Sequence, residues 1–253
     1  MLEPGRVTKT VIVTGGSRGI GAATALLLSR QGWAVCINYR SSAAQAEALV
    51  RDIMEAGGQA IAHAGDVADE GSVVAMFDAA ERAFGPLAGL VNNAGVLGTA
   101  STLADITLDR FQATMATNLT GVFLCAREAV RRMALSRGGQ GGAIVNVSSM
   151  AAVLGAAEEF TDYAASKGAV DTLTIGLSRE VAADGIRVNG VRPGLIDTEI
   201  HAASGVDRVG RLVASVPMRR VGSADEVAQT IAWLLSDDAS YCTGTTINVS
   251  GGR

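Results

Sequence analysis

Val11-Ile-Val-Thr-Gly-Gly-Ser-Arg-Gly-Ile-Gly21 is the stretch whose reading decides the fold. A short β-branched run passes straight into a glycine turn, and the turn into the helical composition of Ala22–Ser29. Strand, turn and helix start, in that order, aim backbone N–H groups and the positive end of a helix dipole at an anion. Gly15 permits the tight turn, Gly19 the close approach of a pyrophosphate, and Gly21 the packing of helix on strand. The spacing is G-x-x-x-G-x-G rather than the commoner G-x-G-x-x-G. Alone, the loop also fits a plain turn.

Outward from this loop, apolar β-branched runs alternate with longer helical patterns, as in βαβ units with a parallel sheet. Strands are predicted at Thr10–Thr14, Ala34–Tyr39, Gln59–Ala64, Gly89–Asn92, Ala143–Ser148, Arg187–Val191 and Thr245–Val249. Several are almost continuously apolar, as strands buried on both faces should be. Helices are predicted at Ile20–Gln31, Ala43–Ala56, Glu70–Phe84, Leu108–Ser136, Tyr163–Ala183 and Asp225–Leu235. No linker or low-complexity stretch divides the chain. The expected architecture is one doubly wound α/β domain of Rossmann type over residues 1–253, with about seven parallel strands.

The 253 residues are 48% apolar and 18% charged, enough for a large buried core. A net charge of −4 argues against a nucleic-acid partner. Cys36, Cys125 and Cys242 are too few and scattered for a disulfide framework or a zinc site, and imply a reduced, cytoplasmic setting. No metal site is expected. Met1–Lys9 lacks the apolar core of a signal peptide. The uncharged stretch Gly138–Ala157 is too polar for a membrane span, with Gln140, Asn146, Ser148, Ser149 and five glycines.

Tyr163-Ala-Ala-Ser-Lys167 opens a helical pattern, so Tyr163 and Lys167, four apart, share one face. Bringing a tyrosine from its ordinary pKa of roughly 10 to near 7 takes about 4 kcal/mol. An ammonium about 4 Å away supplies roughly that much at an effective dielectric of ~20. One lysine therefore suffices to make Tyr163 a proton donor and acceptor. Ser149 follows a predicted strand at the carboxyl edge, where doubly wound sheets bind ligands. Its hydroxyl is placed to orient a substrate oxygen.

Together these residues make the sequence resemble the short-chain dehydrogenase/reductase family over essentially its whole length. The resemblance rests on Thr14-Gly-Gly-Ser-Arg-Gly-Ile-Gly21, Asp66-Val67, Asn92-Asn-Ala-Gly95, Asn118, Ser149, Tyr163-x-x-x-Lys167, Pro193-Gly194, Thr198 and Asn248-Val-Ser-Gly-Gly252. It implies hydride transfer between a nicotinamide and an alcohol or carbonyl carbon. It also implies a catalytic set of Asn118, Ser149, Tyr163 and Lys167. Tyr163 would be the acid/base, and Lys167 would also hold the nicotinamide ribose. Asn118 would hold a water relaying protons. The implied cofactor site comprises Gly15, Ser17, Arg18, Gly19, Ile20, Gly21, Asn38, Tyr39, Arg40, Asp66, Val67, Asn92, Ala94, Gly95, Pro193, Gly194, Ile196 and Thr198. Asp66 and Val67 would flank adenine, and Asn92 the adenosine ribose. A homotetramer is implied, built on the Leu108–Ser136 and Tyr163–Ala183 helices and the C-terminal strand. Two departures stand out. The interval from Ser149 to Tyr163 is one residue longer than usual, which leaves Ser148 open as an alternative; alignment on Gly155 favours Ser149. Ser250 stands where an aspartate is common.

The end of the second predicted strand, Asn38-Tyr39-Arg40-Ser41, carries no acidic residue to take the adenosine ribose hydroxyls. Arg40 and Arg18 are placed instead to meet a 2′-phosphate, so the expected cofactor is NADP(H). The rival function is a non-catalytic NADP-binding regulator. A nucleotide-sugar epimerase is disfavoured, since no further substrate domain follows the last predicted strand.

Other residues read mostly as scaffold. His63 is expected at a strand end, and His201 within a substrate flap over residues 195–216. Arg127, Arg131 and Arg132 read as a solvated helix face, with docking of an acidic acyl-carrier protein as the alternative. Glu158 and Glu159 suit either a solvated loop or a contact to a sugar hydroxyl. A 3-oxoacyl thioester, a sugar or another ketone all remain open as substrate.

Overall fold

The strands that flank the glycine loop lie at the middle of a seven-stranded sheet, in which the third, second, first, fourth, fifth, sixth and seventh strands of the chain lie side by side in that order. The computed structural model describes residues 9–198 and 208–253. The strands are β1 Thr10–Val13, β2 Ala34–Tyr39, β3 Gln59–Ala64, β4 Leu87–Asn92, β5 Gly142–Val147, β6 Ile186–Pro193 and β7 Thr246–Val249. Every pairing is parallel. The direction of winding reverses between β1 and β4. A crevice therefore opens outside their carboxyl ends, where folds of this kind take ligands.

The helices are α1 Gly19–Arg30, α2 Ala43–Glu55, α3 Glu70–Phe84, α4 Leu108–Met115, α5 Gly121–Met133, α6 Ala151–Leu154, α7 Thr161–Val181, α8 Arg208–Val213 and α9 Ala224–Leu235. They cover both faces of the sheet. One apolar cluster joins Val11, Val35 and Val145 to Leu28 of α1, Ile53 of α2 and Ile231 of α9. The other joins Ile12, Leu90 and Ile144 to Phe77 of α3, Cys125 of α5 and Val181 of α7. Adjacent strand residues point to opposite clusters, which is why β1 is buried at every position.

The expected doubly wound architecture is present, with one correction. Leu108–Ser136 is not one helix. It is α4, a single π-helical stretch over Ala116–Thr120, then α5, with a short 3₁₀ turn at Leu135–Arg137. A π turn inserts an extra residue into the helical ladder and turns side chains away from the α register. Asn118 sits inside it. No described helix is long and apolar enough to cross a membrane, and no described cluster of His, Cys, Asp and Glu could hold a metal. Ile200, His201 and Val206, assigned to the flap, lie outside the described residues.

Candidate active site

A two-lobed cleft occupies the crevice, and Ile20, Asn93, Gly95 and Thr198 line both lobes. The first lobe is built on the glycine loop. Gly15 has a φ of +58°, and a Cβ there would meet the Ala94 Cα at 2.8 Å, so only glycine fits. Gly21 lines neither lobe. A Cβ on it would run into the Asn93 side chain and the Gly15 carbonyl, so it permits packing. The start of α1 has no side-chain cap and no acidic residue in its first turn, unlike α3, capped by Asp69, and α9, which carries a Ser223–Glu226 capping box. Its first N–H groups thus present a positive end to this lobe, as an anionic ligand requires.

Buried side chains fix the loop. The Thr14 hydroxyl accepts hydrogen bonds from the Asn93 and Ala94 N–H groups, both at 3.0 Å. The Asn93 side-chain amide donates to the Thr14 and Gly15 carbonyls. Asn38 accepts from the Gly15 N–H and donates to the Gly65 carbonyl at 3.0 Å, tying the ends of β1, β2 and β3 together. Ser17, Arg18, Gly19, Tyr39, Arg40, Asp66, Val67 and Ala94 line this lobe too. Arg40 lies 3.7 Å from Asp66, their side chains 60% and 41% exposed. Asn92 does not reach the cleft. Its amide donates to Asn146 inside the sheet at 2.9 Å, and Asn93 takes the cleft position.

The second lobe is lined by Ser149, Tyr163, Lys167, Pro193, Gly194 and Ile196, with apolar walls from Leu97, Met150, Leu154, Phe160, Leu195 and Leu212. Helix α7 carries Tyr163 and Lys167 on one face, as their spacing requires. The Lys167 ammonium lies 5.7 Å from the Tyr163 ring centroid and donates to the Val147 carbonyl at 2.7 Å. Lys167 is 3% exposed. Burial brings its pKa down to about 8, against the opposing pull of Asp171 one turn along α7.

The two serines are told apart by their surroundings. Ser148 is buried and donates to the Lys167 carbonyl at 3.2 Å. Ser149 is half-buried, and its hydroxyl accepts from the Ala151 N–H. Both touch the lobe, but Ser148 is committed to the backbone of α7. Asn118, fully buried, reaches the same helix beside the lysine, and a Cβ on Gly95 would lie 3.5 Å from its Oδ1 and 3.6 Å from Lys167 Nζ. Its amide donates to Ser166 Oγ at 3.2 Å and to the Val96 carbonyl at 3.0 Å, and its oxygen accepts from the Val96 N–H at 2.8 Å. A tyrosine and a serine that line one largely apolar cavity together with a buried ammonium can hold and protonate a carbonyl oxygen.

Sequence reasoning passed over Asn93, Ser41, Ser42 and Thr117 in the first lobe, and Leu97, Phe160 and Arg253 in the second. Asn93 was within reach, since it belongs to the quoted Asn92–Gly95 run. The others carry no chemical signature in the sequence. Glu159 lines the second lobe, and Glu158 does not. Glu158 and Ala156 hold positive φ angles of 62° and 46°, a strained conformation for side-chain residues, in the interval that is one residue longer than usual. The α5 arginines are neutralised within the chain. Arg132 pairs with Asp78, Glu81 and Glu128, Arg131 with Glu128, and Arg127 with Glu70. This leaves little net positive charge for an acidic carrier protein.

Residues 15–253 match the family model described as enoyl-(acyl carrier protein) reductase. An uncharacterized oxidoreductase of Escherichia coli is 57% identical over 96% of this chain and 98% of its own. The 3beta-hydroxysteroid dehydrogenase 1 of Eggerthella lenta is 44% identical over 96% and 93%. A crystal structure of a dehydrogenase/reductase from Sinorhizobium meliloti superposes with a TM-score of 0.91 at 35% identity, covering 98% of this chain and 95% of that one.

Proposed function

The chain is an oxidoreductase of the short-chain dehydrogenase/reductase family, and from that premise we propose that it uses NADP(H) to interconvert a ketone and a secondary alcohol flanked by apolar surface. The observation that carries the reading is the juxtaposition of Tyr163 with the buried Lys167 in a lobe continuous with the glycine-loop lobe. The nicotinamide supplies or accepts the hydride when bound. Tyr163 gives its hydroxyl proton to the carbonyl oxygen in reduction and takes it back in oxidation. Lys167 stabilises the tyrosinate by its charge, and Ser149 donates to the substrate oxygen. Asn118 ties the backbone of Val96, beside the wall residue Leu97, to Ser166 of α7.

Cofactor choice rests on charge. Arg40 and the glycine-loop residue Arg18 line the lobe where the adenosine ribose would lie, and β2 ends without a carboxylate. Arg40 already faces Asp66, but an exposed pair of this kind contributes only about 0–1 kcal/mol. A phosphate of charge roughly −1.5 to −2 exchanges for it readily. The apolar walls favour a ketone over a polyol. The Eggerthella lenta relative is named for a hydroxysteroid, and the family model for an acyl substrate.

The test is spectrophotometric. NADPH consumption is followed across steroid ketones, diketones, 3-oxoacyl thioesters and sugars, with the Tyr163→Phe protein as control. Turnover of apolar ketones, lost in Tyr163→Phe while NADPH still binds, is the expected result. Substantial turnover by the variant would remove Tyr163 from the role of acid. The wild type should have the higher kcat/KM with NADPH, and Arg40→Asp should erode that preference roughly ten- to a hundredfold. Equal values for NADH and NADPH in the wild type would overturn the cofactor assignment.

A further inference from the structure

Immediately before Tyr163, the carboxylate of Asp162 is almost wholly buried, its side chain 1% exposed. It would be costly there without a partner. Arg110 of α4 provides one in bidentate geometry, donating from Nε at 2.9 Å and from Nη2 at 3.0 Å. Thr114, one turn along α4, adds a third hydrogen bond at 3.2 Å. The remaining arm of the guanidinium, Nη1, donates to the Thr99 carbonyl at 2.5 Å and to Ser101 Oγ at 3.0 Å. One side chain thus grips two things at once: the first turn of the helix bearing Tyr163, and the segment that carries Leu97 into the cavity wall.

The same segment is held at two more points. Asn118 brackets both polar groups of the Val96 backbone, and the Ser101 N–H donates to the Glu159 carbonyl at 2.9 Å. Gly98 lets Arg110 pass beneath the segment, since a Cβ there would meet the arginine Nε at 2.6 Å. The segment between Val96 and Ser101 is therefore suspended between the π turn and α4, and α4 is tied in turn to α7.

We propose that Arg110 and Asp162 are a positioning pair, which fixes the Tyr163 hydroxyl against the substrate wall rather than merely stabilising the fold. The proposal rests on the carbonyl-reducing function assigned to the cavity. Arg110 engages four of its five N–H donors in a fixed fork, a task a lysine cannot perform. Displacing a reacting group by about 1 Å can lower a rate roughly a hundredfold. The glycine-loop residues and Arg40, which would hold the adenosine and phosphate end of the cofactor, lie on the other lobe and should not change.

The test separates position from stability. Arg110→Ala strands the Asp162 carboxylate and should lower Tm by roughly 10 °C, which by itself proves nothing. Replacing both partners, in Arg110→Met with Asp162→Leu, removes the buried charges together, and exchanges of this type usually restore stability. The expected result for the double variant is a Tm near wild type, NADPH affinity unchanged within about twofold, and kcat still ~10–100-fold down. Arg110→Lys should likewise keep the charge without restoring kcat. If kcat recovers together with Tm in the double variant, the pair is structural and the proposal falls. Hydrogen exchange supplies a readout that needs no substrate. In the double variant the Val96 and Ser101 amides should exchange faster, with β4 and β5 unaffected. Unchanged protection at both amides would overturn the proposal even if no ketone were turned over, and absence of wild-type turnover would count against the assigned function alone.

Discussion

At the scale of single residues, Lys167 carries the sharpest physical signature. It is buried, and burial lowers its pKa from the ordinary 10.5 to about 8. Below pH 8 both native and unfolded chains bind the proton, and the native protein bears the cost of a buried ammonium. Between pH 8 and 10.5 the unfolded chain still holds a proton that the native one has released. Unfolding free energy must then rise with pH, by up to about 3 kcal/mol from this one group. Cys36 and Cys125 oppose it. Burial pushes both thiols up to about 12, so they stay protonated where unfolded thiols ionise, and stability falls as pH climbs above 9. The two effects are separable, because Lys167→Met deletes only the first. Denaturant unfolding of the cofactor-free proteins at several pH values should show the wild type gaining on Lys167→Met between pH 8 and 10.5. A difference that stays flat across that window would mean that the lysine is not desolvated as described.

At the scale of elements, what was legible in the sequence follows from what punctuates it. β2, β3 and α3 fall at their expected bounds because glycines or caps delimit them: Gly32 before β2, Gly57 and Gly58 before β3, Asp69 and Gly85 around α3. The break between α4 and α5 had no such marker. Ala116-Thr-Asn-Leu-Thr120 reads as ordinary helix, and its π register becomes apparent only through the tertiary partners of Asn118. The same holds for the choice between Asn92 and Asn93 and between Ser148 and Ser149. Asn92 and Asn93 straddle the carboxyl end of β4, and Ser148 and Ser149 follow that of β5, where a one-residue shift exchanges a side chain tied to its neighbours for one presented to the cleft. The Arg110–Asp162 pair was invisible for a different reason, since 52 residues separate its members. The π turn yields its own prediction. Asn118→Ala strips both polar groups of the part-buried Val96 backbone of a partner, at a combined cost of about 1–3 kcal/mol. That corresponds to a drop in Tm of roughly 2–12 °C for a chain of this size. Calorimetry showing an unchanged Tm would mean that the amide is not what holds the wall segment.

At the scale of the whole molecule, two apolar surfaces lie on opposite faces of the sheet and call for partners. On the side of α4, α5 and α7, Leu108, Phe111, Phe123 and Ile175 stand out from their helices, each 40–67% exposed. On the side of α9, Trp233 is 40% exposed, Tyr241 is fully so, and the edge strand β7 has no fully buried position. Parallel strands are normally covered on both faces, and an open edge invites pairing. Two separate self-complementary surfaces, each used once about its own two-fold axis, generate a closed tetramer rather than a fibre. We therefore predict a tetramer of four 25.8 kDa chains in solution. Phe123→Glu places a charge in the first surface and should leave dimers joined through the second. Trp233→Glu should do the converse, and the two together should give monomers. Light scattering at micromolar concentration distinguishes these masses. A wild-type mass of one chain would end the proposal, whereas a tetramer that survives both substitutions would mean that the chains meet through other surfaces.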